Sequence, residues 1–272
     1  MTSFWCPSRR PVSHDFEHVL ILTSSPCVTG TTWLQEIVWL LQNDLNYEKA
    51  KSKSIDERFP YLEFPHPGLT TLSKETGRRF IKTHVAPSLL QLGDGKDDKE
   101  KMPKVLSIVR DPRDVLVSYF YFSRMNNVIG FTGSFAEFFT AFMEDRVPYG
   151  PILKFYKEID HMSQDPNRQK RMLVLRYEDL KKDFAGQIEK LCTFLERSPL
   201  SVEQMDQLKL HCSFEEMSLN PSVNYSHWRE YGLAKPNEAP FMRKGEVGDW
   251  KNHLTGAQQK LFEAKVRDGV QE

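Results

Sequence analysis

The hydrophobic pattern of this chain alternates short apolar runs with longer stretches of helical periodicity. Val19 to Thr23, Arg79 to Thr83, Val105 to Val109 and Met172 to Tyr177 are apolar or β-branched runs too short for a helix, and each predicts a strand. Elsewhere apolar residues recur at spacings of three and four. In Thr31 to Leu41, Trp33, Leu34, Ile37, Val38 and Leu41 share one face; in Leu180 to Leu195, Leu180, Phe184, Ile188, Leu191 and Leu195 do. After Val109, Asp111 fits a helix N-cap, Pro112 the first helical position and Asp114 the acid three residues beyond the cap. Strands alternating with amphipathic helices build a parallel sheet covered on both faces, so the pattern predicts an α/β fold.

In an open parallel sheet, ligands sit outside the carboxyl ends of the strands, and the residues there form a consistent set. After the first strand, Gly30, Thr31, Thr32 and Trp33 open a helix behind a loop whose backbone amides fit an anion, although the loop carries no lysine. The second strand ends in Lys82, Thr83 and His84; Arg110 follows the third; Tyr177, Glu178 and Asp179 end the fourth. Two cations, a histidine, an aromatic ring and an anion loop suit a nucleotide with more than one anionic group and an acceptor near His84. Singly, each residue has a plainer reading. His84 alone reads as a structural histidine, Arg110 as the partner of Asp111, Ser118 as a solvent-facing or capping hydroxyl, and Phe241 to Gly245 as a basic turn. A glycine loop without GK[ST] is weak evidence taken alone.

Composition narrows the picture. The 272 residues, 39% of them hydrophobic, suffice for one large core, so a single domain over 1–272 is expected. With 37 basic and 37 acidic residues the formal charge is zero, so no global field draws the chain to nucleic acid or an anionic membrane, and any anion site is local. Cys6, Cys27, Cys192 and Cys212 are scattered, without the spacing of a zinc site or the density of a disulfide scaffold, which fits a reducing cytoplasm. No ligand cluster for a metal is visible. No signal-peptide pattern and no apolar run of roughly 20 residues occurs, so a soluble chain is expected. The polar stretches 93–101 and 163–171 read as connecting loops.

Six segments occur in one order: GTTWLQEIV at 30–38, FIKTH at 80–84, VRDPRDVLVSYF at 109–120, LRYEDL at 175–180, SFEEM at 213–217 and PFMRKGEVGDWKN at 240–252. Together they resemble the cytosolic sulfotransferases, which move a sulfuryl group from 3′-phosphoadenosine 5′-phosphosulfate (PAPS) to a hydroxyl or amine. The resemblance spans about Val19 to Phe262 and implies a P-loop-like fold with a five-stranded central parallel sheet, a buried nucleotide and an adjoining apolar acceptor pocket. It implies His84 as the general base and Lys82 as a stabiliser of the transferring group, with Lys82, Thr83 and His84 facing the acceptor. By the same resemblance Thr29, Gly30, Thr31, Thr32 and Trp33 wrap the 5′-phosphosulfate, with the Trp33 ring at the adenine. Arg110, Ser118, Arg243, Lys244 and Gly245 hold the 3′-phosphate. Tyr177, Cys212, Ser213, Phe214 and Met217 surround the adenine, and Phe241 and Met242 complete the clamp. A histidine with a pKa near 6.5 suits proton removal at neutral pH, and arginine forks suit a phosphate dianion. In-line transfer needs positioning and positive charge, and no metal is required.

Departures from the family pattern carry expectations too. Where the family has proline, lysine and serine before its glycine, this chain has Cys27, Val28 and Thr29, and Pro26 and Gly30 stand one residue further apart. Losing one preorganised electrostatic donor costs on the order of 100- to 1000-fold in rate, so a slow or inactive enzyme that still binds nucleotide is expected. The short termini imply that acceptor-pocket residues from the N-terminus are missing. The family's dimer motif appears here as Lys251, Thr255, Gly256 and Lys260, with valine replaced by glycine and glutamate by lysine, which leaves monomer and homodimer both open. Phe64, Phe122, Phe131, Phe135, Phe138, Phe139, Phe142 and Tyr149 fall near pocket-forming regions and favour a phenol or other small hydroxylated acceptor, although these rings read equally as core. The other readings are a nucleotide-binding protein that has lost efficient transfer and a triphosphate-using kinase or hydrolase. The absent GK[ST] and the lack of an evident magnesium site speak against the last.

Overall fold

Four short, mostly apolar runs form the centre of the computed structural model, which describes residues 18–23, 29–64, 70–74, 77–90 and 102–271 together with Gly68 and Leu92. The strands are β1 (Val19–Leu22), β2 (Phe80–Thr83), β3 (Lys104–Val109) and β4 (Met172–Arg176), in the order β2-β1-β3-β4 and parallel throughout. Leu20 pairs with Ile81 on one side and Val105 on the other, and Leu106 with Leu173. Every residue of β1 is buried, as expected of a central strand covered on both faces.

The α/β expectation holds, with four strands among the described residues where five were expected. At the β2 edge, Lys82 N donates to Pro60 O at 3.1 Å and Leu62 N to Lys82 O at 2.9 Å, pairing Tyr61 with Lys82 in a single parallel bridge. Pro60 has no N–H to give, so this pairing does not lengthen into a strand.

Helices fill the connections between strands. Gly30 caps the helix Thr31–Gln42 from a left-handed conformation, and Leu34, Ile37, Val38 and Leu41 are buried on it as the periodicity predicts. The predicted helix Leu180–Leu195 is two helices, Tyr177–Lys182 and Phe184–Phe194. Asp183 breaks it, because its carboxylate accepts from Gly186 N at 3.0 Å and caps a new helix instead of continuing the old one. Tyr177 accordingly opens a helix and does not end a strand. Asp111 caps the helix Pro112–Met125 by accepting from Arg113 N at 2.9 Å. Asp111 N donates to Glu178 Oε1 at 2.8 Å, so Asp114 has no capping role and its carboxylate reaches elsewhere.

A second cluster beside the sheet buries Phe122, Phe138, Phe139 and Phe142 with Phe262, and Phe131 and Phe135 pack against it. These rings are core. The stretch 93–101 lies outside the described residues, and 163–171 runs from the end of the helix Ile152–Gln164 to β4, as a connector should. No helix among the described residues is long and apolar enough to cross a membrane.

Candidate active site

The residues that follow β1, β3 and β4 meet around one cavity of about 300 Å³. Gly30 lies at φ 95°, and a Cβ there would come within 2.6 Å of the Tyr177 ring, so only glycine fits this approach. On either side of it, Thr29 and Thr31 bond each other at 3.0 Å and bond Thr23 at 3.2 and 2.8 Å. These buried hydroxyls brace the turn and do not line the cavity. Thr32 and Trp33 do line it; Thr32 Oγ1 and Trp33 Nε1 are buried there with no hydrogen-bond partner among the described residues. Buried polar atoms of that kind need a partner, which a bound polar ligand would supply. Trp33 is held edge-on by Tyr177 at 5.6 Å and stacked by Phe184 at 6.1 Å.

Cations line the cavity as well. Arg110 lies 4.4 Å from the Tyr177 ring centre and its Nη2 donates to Glu246 O at 2.6 Å. Tyr177 Oη donates to Gly245 O at 2.9 Å, and Gly245, at φ 66°, packs so tightly that a Cβ would meet Phe214 at 2.3 Å. Arg243 lies 4.4 Å from the Tyr121 ring centre. Asp249 pairs with Arg243 at 2.5 Å and Lys244 at 2.7 Å; burial alone would raise its pKa, but hydrogen bonds from Lys244, Arg243 and Asn252 hold it well below the usual carboxylate range. Asp114 accepts from Gly248 N at 2.7 Å and Trp250 N at 3.0 Å, tying the 243–250 turn to the helix that carries Ser118. Ser118, Cys212, Ser213, Phe214, Met217, Phe241 and Met242 also line the cavity. Burial pushes the Cys212 thiol up, which leaves it unreactive. Among the described residues no group of side chains is placed to hold a metal ion.

At the end of β2, His84 is buried, with its ring between Tyr61 at 5.3 Å and Tyr149 at 4.8 Å. Its Nδ1 lies 3.4 Å from Glu63 Oε1, which accepts from His84 N, and neither Nδ1 nor Nε2 has a hydrogen-bond partner among the described residues. Burial raises the Glu63 carboxyl, but the hydrogen bond and charge of His84 outweigh it and leave the group below its ordinary value. Lys82 is fully buried and donates through Nζ to Tyr61 Oη at 2.6 Å. Burial holds the Asp56 carboxyl above its ordinary value despite the Lys82 charge, and it accepts from Tyr225 Oη at 2.8 Å. Thr83 Oγ1 accepts from Val85 N at 3.1 Å, a turn-forming role.

A family model described as the sulfotransferase domain matches residues 17–271. Sulfotransferase 1E1 of Mus musculus is 36% identical over 259 residues, covering 93% of this chain and 83% of that protein. The chain belongs to the sulfotransferase family. Sulfotransferase 1B1 of Mus musculus is also 36% identical, over 252 residues, 90% of this chain and 80% of that protein. A crystal structure of retinol dehydratase in complex with androsterone and inactive cofactor PAP superposes with a TM-score of 0.82 at 29% identity, over 97% of this chain and 82% of that one. Mouse sulfotransferase SULT7A1, complexed with PAP, shares the fold at a TM-score of 0.69 and 24% identity, over 94% and 86% of the two chains.

In this sulfotransferase the cavity gathers the expected residues from Gly30 to Gly245, except Thr29 and Thr31, and leaves Lys82, Thr83 and His84 outside its lining. Val28 lies outside the described residues. Sequence reasoning missed Lys181, Phe184, Lys209 and Glu215 on the cavity wall, and Tyr61 and Glu63 beside Lys82 and His84. Phe184 had a signal in its helical stripe but read as core. Tyr61 and Glu63 had none, since a contact 21 residues apart through a one-residue bridge has no period.

Proposed function

We propose that this single domain transfers a sulfuryl group from PAPS to the hydroxyl of a small phenol or alcohol, in the cytoplasm and without a metal. The observation that carries the reading is the cavity that Arg110, Arg243 and Lys244 line together with Thr32 and Trp33, whose Oγ1 and Nε1 are buried without a partner among the described residues. That arrangement fits an aromatic nucleotide with anionic groups at two positions. Gly30 to Trp33 hold the 5′ end through backbone amides and Thr32. Trp33, Tyr177, Phe214 and Met217 enclose the adenine. Arg110, Ser118, Arg243, Lys244 and Gly245 hold the 3′-phosphate, closed over by Phe241 and Met242.

His84 takes the acceptor proton. Glu63 beside Nδ1 favours the tautomer that carries its proton there, which leaves Nε2 as the base. As the acceptor oxygen bonds to sulfur, the bond from sulfur to the 5′-phosphate oxygen breaks, and adenosine 3′,5′-bisphosphate leaves. Lys82 supplies positive charge near the transferring group. Tyr149 and Phe64, exposed beside His84 and Tyr61, offer an aromatic surface to a flat acceptor. Val28 stands where the family's loop lysine would assist departure of the bisphosphate, so transfer is slow compared with nucleotide binding. Calorimetry with adenosine 3′,5′-bisphosphate, paired with sulfate transfer to a panel of phenols, tests the reading. Binding with slow transfer is expected; binding without transfer leaves a nucleotide-binding protein, and absence of both refutes the site.

A further inference from the structure

Arg243 and Lys244 already share one anion in this protein. Arg243 Nη2 lies 2.5 Å from Asp249 Oδ2, and Lys244 Nζ 2.7 Å from Asp249 Oδ1. Asn252 Nδ2 donates to Oδ1 at 3.1 Å, and His253 Nε2 lies 3.4 Å from Oδ2. The Asp249 side chain is only 3% exposed, so its carboxylate depends on these donors instead of water. We propose that Asp249 is a positioning residue that holds Arg243 and Lys244 ready for the 3′-phosphate, and so sets the preference for a 3′-phosphorylated nucleotide over a 5′-monophosphate. This rests on the assignment of those two cations to the 3′-phosphate.

Geometry favours a positioner over a competitor for the cations. Asp249 engages one terminal nitrogen of Arg243, and the guanidinium also lies 4.4 Å from the Tyr121 ring centre. The fork is thereby oriented from two sides, and because Nη2 carries two hydrogens, the bond to Asp249 uses one two-pronged edge and leaves the other, Nη2 with either Nε or Nη1, for a phosphate. A long side chain oriented beforehand loses less rotamer freedom on binding. Arg110, Arg243 and Lys244 outnumber Asp249 and the neighbouring Glu246, so positive charge remains for a phosphate. Burial is the main cause holding His253 below its ordinary 6.5. Asp114, not Asp249, anchors the turn's backbone through Gly248 N and Trp250 N, so replacing Asp249 by the isosteric asparagine spares the turn.

The experiment is calorimetric titration of the full chain with adenosine 3′,5′-bisphosphate and, separately, with adenosine 5′-monophosphate. In the wild-type protein the bisphosphate binds tighter; equal affinities would refute the 3′-phosphate assignment itself and are distinct from failure of the present inference. In Asp249→Asn the bisphosphate is expected to weaken by about tenfold or more, the worth of a charge-assisted hydrogen bond, while the monophosphate stays within about twofold of wild type. Asp249→Glu keeps the charge and moves it by one methylene, so it provides the test even if the asparagine variant does not fold. It is expected to weaken the bisphosphate alone, by about threefold or more. Unchanged or tighter bisphosphate binding in either variant, or an equal loss for both nucleotides, overturns the proposal.

Discussion

Replacing Glu36 by glutamine removes a charge from the centre of the molecule without changing its shape. The Glu36 side chain is fully buried, with Oε2 2.7 Å from Arg58 Nη1 and Oε1 2.8 Å from His211 Nε2. Arg58 is buried as well, its Nε donating to Lys53 O at 3.1 Å and its guanidinium 5.1 Å from the Trp39 ring centre. In Glu36→Gln this guanidinium loses its counter-charge and cannot reach water. Breaking a buried pair from one side costs about 3–5 kcal/mol, a large part of the roughly 5–15 kcal/mol that holds a domain together. With a urea m-value of about 3 kcal/mol/M, the unfolding midpoint should fall by about 1 M or more. Burial raises the Glu36 carboxyl, but the His211 hydrogen bond and the Arg58 charge outweigh it and leave it below its ordinary 4.5. A depressed carboxyl contributes stability above its unfolded value and loses that contribution as pH falls through the folded one. Wild type and Glu36→Gln should therefore converge on acidification. A midpoint shift under about 0.3 M at neutral pH, or a difference that grows in acid, would refute this reasoning. The perturbation reaches the site as well, because Arg58 and His211 directly precede the segments carrying Tyr61 with Glu63 and Cys212 with Met217.

Three further outcomes follow from the same structure. Val28→Lys restores a cation to the anion loop and should raise turnover at saturating PAPS by on the order of 100-fold; no gain there removes the missing lysine as the cause of slow transfer. Gly30→Ala places a Cβ 2.6 Å from the Tyr177 ring at a positive φ, so it should cost about 1–3 kcal/mol in thermal unfolding and weaken bisphosphate binding; an unchanged melting temperature contradicts the close approach. Glu63→Gln leaves His84 without its orienting carboxylate and should lower kcat by about 10- to 100-fold. Because Glu63 does not line the nucleotide cavity, bisphosphate affinity should hold, and steady-state kinetics beside calorimetry separates the two effects.

Local pattern carried most of the fold. The four strands lie within a residue or so of where the apolar runs place them, because strands of a covered parallel sheet are rich in apolar residues; β1 is all Leu, Ile and Val, and β2, Phe-Ile-Lys-Thr, is the least so. What failed were features set by single polar side chains. Asp183 splits a helix that the apolar stripe reads as continuous, and Asp114 bonds to Gly248 and Trp250 across 134 and 136 residues where a local cap was expected. The cavity residues were legible because they directly follow strands or stand in long ordered motifs. The hydroxyls of Thr29 and Thr31 bond Thr23 and not the cavity, which sequence does not tell. Aromatic residues divided in the same way: Phe138 and Phe142 are core, while Tyr149 faces His84. Only tertiary placement separates such rings.

The central claim is that this protein moves a sulfuryl group with His84 as the base. The direct test is transfer of labelled sulfate from PAPS to a phenol panel by the wild-type chain and by His84→Ala, with bisphosphate binding measured on both. Slow formation of a labelled phenyl sulfate by the wild type, reduced to background in His84→Ala with nucleotide binding intact, is the predicted result. Equal transfer by both proteins, or none by the wild type and none by Val28→Lys, would contradict it.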